Sequence, residues 1–175
     1  MTLMRSTFRA KAIEILTAAA IVPANKIFRA RAWPIKPEDY PAILVFTPSE
    51  DQENKGDTAD PAFLSRPSLA FEIGVKGDTG EACEDACDAL CESVVESLMT
   101  NPDLIALVER VVSIKTTMEE HEGQYQYHRA RIVFTYEYTE VYPPVIPNLL
   151  DLIDAKVVGP QGDVLTEMRI TPQSS

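Results

Sequence analysis

The sequence is poor in the residues from which most catalytic and nucleic-acid sites are built. Two histidines, His121 and His128, and seven glycines are spread over 175 residues, and three cysteines sit in one short stretch. No G-x-S-x-G, P-loop, G-x-G-x-x-G or H-E-x-x-H pattern occurs. The chain therefore encodes no nucleophile elbow, phosphate cradle, dinucleotide fingerprint or zinc-protease helix of those types. We read a non-enzyme, with no catalytic residue, cofactor or metal assigned. Asp and Glu outnumber Lys and Arg 27 to 16, for a net charge of −11 and a pI near 4.6. A broad phosphate-binding face needs the opposite balance. No apolar run approaches the roughly 20 residues that span a bilayer, which argues against a membrane partner. An odd number of cysteines cannot close into a complete disulfide set, which fits a reducing compartment.

What is present is ordinary globular composition, 45% hydrophobic and 25% charged, in a length that suits one domain. Arg5, Arg9 and Lys11 ahead of an apolar stretch give the N-terminus the look of a signal peptide, but Glu14 interrupts that stretch. Phe8, Ala12, Ile15, Leu16 and Ala19 fall at helical spacing instead. That spacing predicts an amphipathic helix from Leu3 to Ala20, retained in the mature chain. A strand is expected at Ile27–Trp33, then a loop broken by Pro34, Pro37 and Pro41. The apolar run Ala42–Thr47 predicts a strand covered on both faces. Pro48–Pro67 reads as a long acidic loop that becomes ordered on assembly. Leu69, Phe71, Ile73 and Val75 alternate with smaller or polar residues, as a strand does.

A second helix follows, with Asp78 as cap, Glu81 three residues later and an inward stripe of Cys83, Cys87, Leu90, Val94 and Leu98. Asn101-Pro102 opens a short helical turn, with Asn as cap and Pro at the first helical position. Strands at Val111–Met118 and Tyr125–Tyr142 make a hairpin around a polar turn, Glu119–Gly123. In the second of these strands Ala130, Ile132, Phe134, Tyr136 and Tyr138 line one face. After Pro143, Pro144 and Pro147, Ala155–Val158 is expected to pair with Val164–Ile170. The fold class is α+β: a mostly antiparallel, mixed β-sheet with two main helices on one face, plus a β-rich C-terminal extension. Residues 1–142 form the main domain, and 143–175 extend it.

Cys83, Cys87 and Cys91 recur every four residues and share a broad helix face, but no histidine stands at zinc-finger spacing to them. Small buried cysteines at a helix–sheet interface explain the pattern. His121, among Glu119, Glu120 and Glu122, reads as a solvated turn residue, and His128 beside Arg129 as a surface histidine.

Charge is segregated along the chain. Residues 1–36 carry seven basic side chains against the single acid Glu14, whereas helix two carries Glu81, Glu84, Asp85, Asp88, Glu92 and Glu96 with no base. Opposite signs on different elements suit a head-to-tail contact between identical subunits. Arg29 and Arg31 on the basic side, and Glu50, Asp51, Glu53, Asp57 and Asp60 on the acidic loop, are the candidate interface residues.

Several segments together carry a family resemblance. They are the leading helix Arg5–Ala20, Tyr40-Pro41-Ala42-Ile43-Leu44-Val45-Phe46, the strand Leu69–Val75 opening an acidic helix, Asn101-Pro102-Asp103-Leu104, and the closing strand Ile132–Tyr138. In order and texture they resemble the tail terminator proteins of tailed phages (minor tail protein U-like), encoded in phage or prophage genomes. The resemblance covers residues 1–142 and leaves 143–175 unexplained. It implies a homohexameric ring on the head-proximal end of the tail tube, which stops polymerisation and presents a surface to the head. The implied partners are further copies of the chain, the major tail tube protein and the head connector or neck protein. DNA would pass through without specific binding, and a negative bore suits that passage. The implied location is the host cytoplasm during assembly and then the virion tail. The alternatives are another neck or tail-completion protein, a tail-tube subunit, or a small-ligand-binding α+β domain.

Overall fold

The structure, a computed structural model, describes residues 4–29, 36–55, 61–121, 126–142, 153–158 and 164–170. The chain divides into two compact units, Met1–Val141 and Tyr142–Ser175. In the first unit the elements run α1 (Met4–Ala18), β1 (Ile27–Arg29), β2 (Ala42–Asn54), β3 (Ala62–Gly77), α2 (Gly80–Met99), α3 (Pro102–Ile105), β4 (Arg110–His121) and β5 (Gln126–Val141). The strands form one sheet in the order β1-β2-β3-β5-β4, with β1 parallel to β2 and every other pair antiparallel. This is the α+β arrangement expected from the sequence, with both main helices packed on one face of a mixed sheet. In the second unit β6 (Ile153–Val158) and β7 (Val164–Ile170) pair antiparallel, as expected for Ala155–Val158 with Val164–Ile170. The expected turn at 159–163 and residues 30–35 lie outside the described residues.

The helix-side face of the sheet follows from strand alternation. Ile43 and Val45 of β2 pair with Ile73 and Phe71 of β3, which pair in turn with Ala130 and Ile132 of β5. Phe8, Ala12, Ile15 and Leu16 of α1 and Cys83, Cys87, Cys91, Val94 and Leu98 of α2 close over them. All four residues Ala42–Val45 are buried, so the start of β2 is covered on both faces. An aromatic column joins the layers. Phe71 meets Phe134 edge-on at 5.5 Å, Phe134 stacks on Tyr136 at 5.9 Å, and Phe8 lies between Tyr136 at 5.8 Å and Tyr138 at 5.4 Å.

Four expectations are corrected. The segment Pro48–Pro67 is not a long loop. β2 continues to Asn54, β3 starts at Ala62, and the ladder runs from Ser49↔Ser68 to Asn54↔Phe63. The cause is a register shift between Phe46 and Ser49, with Pro48 inside it, where a proline does not break the ladder. The shift inverts the alternation, so the polar residues beyond it no longer extend the apolar pattern before it.

Helix α2 is capped by Thr79, whose hydroxyl accepts from the Ala82 amide at 3.2 Å, and not by Asp78. Its buried stripe passes through Cys91, and Leu90 is only half-buried at the stripe's margin. His128 is buried, not a surface residue, because it shares the inner face of β5 with Ala130. The cap at Asn101 is as expected, its Oδ1 accepting from the amides of Asp103 and Leu104 at 3.1 and 3.2 Å. Helix α1 ends through Ala20, which takes a left-handed φ of 51°.

The hydroxyl of Tyr136 is buried in the aromatic column without a hydrogen-bond partner, and burial pushes its pKa up. An unsatisfied buried hydroxyl costs more than it returns. Tyr136→Phe should therefore keep the same packing and raise stability by up to about 1 kcal/mol. Phe8→Ala, which empties the middle of the column, should cost about 3–5 kcal/mol. Thermal melting of both variants checks this, and a loss of stability in Tyr136→Phe would mean that the hydroxyl has a partner.

Candidate assembly surfaces

Four surface features lie on the first unit. The first is a cluster of guanidinium groups along α1. Arg5 and Arg9 are one helical turn apart, and Arg29 at the end of β1 lies close enough to act on Arg9. Burial, then Arg29, then Arg5 hold the Arg9 guanidinium below its ordinary pKa. Arg5 donates to Glu50 at 2.9 Å, and Lys11 contacts Glu14 at 3.0 Å and Asp103 at 3.8 Å. The Nε of Arg9 is buried with no hydrogen-bond partner. A groove of about 420 Å³ runs beside this cluster, lined by Ser6, Thr7, Ala10, Lys11, Glu14 and Arg29.

The second feature is the outer face of α2. At about 100° per residue, Glu81, Glu84, Asp85, Asp88, Glu92 and Glu96 share roughly one third of the helix circumference. That arc is turned away from the buried stripe, and all six carboxylates are exposed. None of them forms an ion pair with a described residue.

The third is the outer edge at β4, which pairs only with β5 among the described residues. A register shift between Val111 and Ser113 moves Ile114 and Met118 onto the helix-side face, opposite Phe134 and Ala130. The helix layer does not cover them, and Val112, Ile114 and Met118 are 43, 40 and 43% exposed. An edge strand with an apolar face is a ready template for pairing with another chain.

The fourth feature lies on the opposite face of the sheet. Glu137 is buried between Arg66, whose Nε lies 2.8 Å away, and Arg110, whose Nε lies 2.6 Å away. The three belong to adjacent strands β3, β5 and β4, so the carboxylate ties the sheet together across its polar face.

The candidate interface residues named from sequence do not all stay on the surface as a set. Arg29 is exposed at the end of β1. Glu50 turns onto the helix side because of the shift before Ser49, and there it accepts from Arg5 and from the Tyr138 hydroxyl at 3.0 Å. Glu53 pairs with Arg66 at 3.4 Å on the opposite face, and Asp51 is exposed. Arg31, Asp57 and Asp60 lie outside the described residues, as does the side chain of His121. The three cysteines are buried and free. The sequence reading put Glu50 in a loop and so gave it no face of the sheet, and the Arg5–Glu50 contact was missed. The Glu137 clamp was missed as well, although Arg66, Arg110 and Glu137 are all legible as strand residues once the register is known.

No family model and no curated protein matches this chain. Among solved structures, a chain in the virion of a native gene transfer agent (GTA) particle is similar over 78% of this chain and 98% of its own length. The two are 14% identical, with a TM-score of 0.47, and a likeness of that order carries no functional argument. Among the described residues, no helix is long and apolar enough to cross a membrane, and no group of three or more His, Cys, Asp or Glu could hold a metal ion.

The Glu137 clamp makes stability pH-dependent in a definite direction. Hydrogen bonds from Arg110 and then Arg66 hold its carboxyl below the ordinary glutamate value. A depressed folded-state pKa contributes stability above the unfolded value of about 4.3, and that contribution is lost as pH falls through the folded value. Glu137→Gln should therefore melt earlier than the parent at pH 7, and the gap should close as the pH is taken below about 4. A gap that is constant from pH 7 to 3 would remove the clamp from the acid response.

Proposed function

We propose that this protein is a structural subunit of a tailed-phage-like particle, without enzymatic activity. It would cap the head-proximal end of the tail tube as an oligomeric ring, end tube growth and offer the surface to which the head joins. The observation that carries the reading is the arrangement of Met1–Val141. The segments on which the family resemblance rests form one sheet with two helices on a single face, and its outer strand β4 leaves Val112, Ile114 and Met118 uncovered. Segregated charge adds to it, since an acidic helix and a basic helix on one subunit suit contacts that repeat head to tail around a ring.

A tube grows by repeating one contact, so its end keeps offering the same surface until a different protein occupies it. A terminator has to bind there as the next tube ring would and then present another face. The Met1–Val141 unit would supply the binding face, and the Tyr142–Ser175 unit part of the new one. Its partners would be copies of itself, the major tail tube protein and the head connector, with DNA passing through unbound.

Electron microscopy of particles made without the gene tests the role. Tails of irregular, excessive length that do not join heads are expected. Tails of normal length beside unattached, DNA-filled heads would assign a neck or completion role instead, and the absence of tails would assign a tube subunit.

A further inference from the structure

The basic cluster on α1 and β1 holds more positive charge than the described part of the subunit neutralises. Arg5 is matched by Glu50, and Lys11 by Glu14 and Asp103. Arg9 and Arg29 form no ion pair with a described residue, and the Nε of Arg9 is buried without a hydrogen-bond partner. Two guanidinium groups held together with no carboxylate between them repel one another. An anionic group brought into the adjacent groove, which Arg29 lines, relieves that repulsion.

The same subunit carries a matching surface elsewhere. From Glu81 to Glu96 the acidic arc of α2 is roughly 22 Å long at 1.5 Å per residue, about the length of the 15-residue α1. No base interrupts it, and within one subunit its carboxylates reach neither Arg9 nor Arg29.

We infer that the groove between α1 and Arg29 receives the acidic face of α2 from a second copy of this chain, with Arg29, and Arg9 beside it, set against carboxylates of that helix. The contact joins different surfaces on the two copies, so it repeats head to tail and closes only if the rotation permits. This rests on the ring reading proposed above and names the surfaces by which the ring would close. Nucleic acid is the weaker occupant, because a chain of net charge −11 repels phosphate at every approach outside the groove.

Charge exchange tests it on the 175-residue chain, with light scattering reporting oligomer mass against concentration and thermal melting checking the fold. Arg9→Glu with Arg29→Glu should raise the concentration needed for assembly roughly tenfold or more, and so should Asp88→Lys with Glu92→Lys. All four changes in one chain should restore assembly toward the parent. The single exposed change Arg29→Glu gives the same direction if the Arg9 variant does not fold.

Assembly that is unchanged by the reversals overturns the docking while leaving the ring itself standing. Disruption by each pair without rescue by the four together also overturns it, since the groove then receives something other than α2. Loss of binding to a 20-base-pair DNA duplex by the arginine variants, with unchanged oligomer mass, would give the groove to nucleic acid. A parent chain that is monomeric at every concentration contradicts both the docking and the ring.

Discussion

The position of α1 on the sheet decides most of what this chain presents to its surroundings. Phe8 enters between Tyr136 and Tyr138, and the same helix is held at its start by Arg5 against Glu50 of β2. With the ring of Phe8 inside, helical spacing fixes where every other residue of α1 lies. Ala12, Ile15 and Leu16 must go inward, and Arg9, one residue from Phe8, is left at the margin beside Arg29. A rotation of the helix that exposed Phe8 would surrender aromatic burial of about 3–5 kcal/mol, more than the repulsion among a few exposed cations can demand. Packing therefore sets the charge pattern, and the cations remain where packing leaves them.

Two register shifts do comparable work in the sheet. The shift in β2 carries Glu50 from the outer face to the helix side, where Arg5 and Tyr138 meet it. The shift in β4 carries Ile114 and Met118 to the helix side as well, but at an edge the helix layer does not cover. One irregularity joins two layers, and the other leaves an apolar margin open. Both follow from the period of a strand, since one extra residue sends everything beyond it to the opposite face.

The parts of the fold legible in the sequence were those with an uninterrupted period. Ala130 to Tyr138 alternate without a break, and they are the inner face of β5. Cys83, Cys87, Val94 and Leu98 keep helical spacing, and Asn101-Pro102 caps a helix by its own chemistry. Illegible were the places where the period is broken or a side chain answers to a distant partner. Polar residues beyond Pro48 look like loop until the β3 partners are known, and Asp78 and Thr79 are both competent caps until geometry selects one. The pairs Arg5–Glu50 and Arg66–Glu137 lie 45 and 71 residues apart, so no local pattern announces them. For the candidate surfaces, the charge segregation was visible from the order of residues along the chain. Which of those charges remain unmatched was not, because that depends on the fold.

The proposed ending of tube growth by this chain is read most directly on growing tubes. Purified major tail tube protein would be polymerised with and without the 175-residue chain, and the lengths and labelled positions read by electron microscopy. If the chain is a terminator, growth stops at a length set by the moment of addition, with the labelled chain confined to one end of each tube. Tubes that lengthen at an unchanged rate, or that carry the label along their walls, would contradict it.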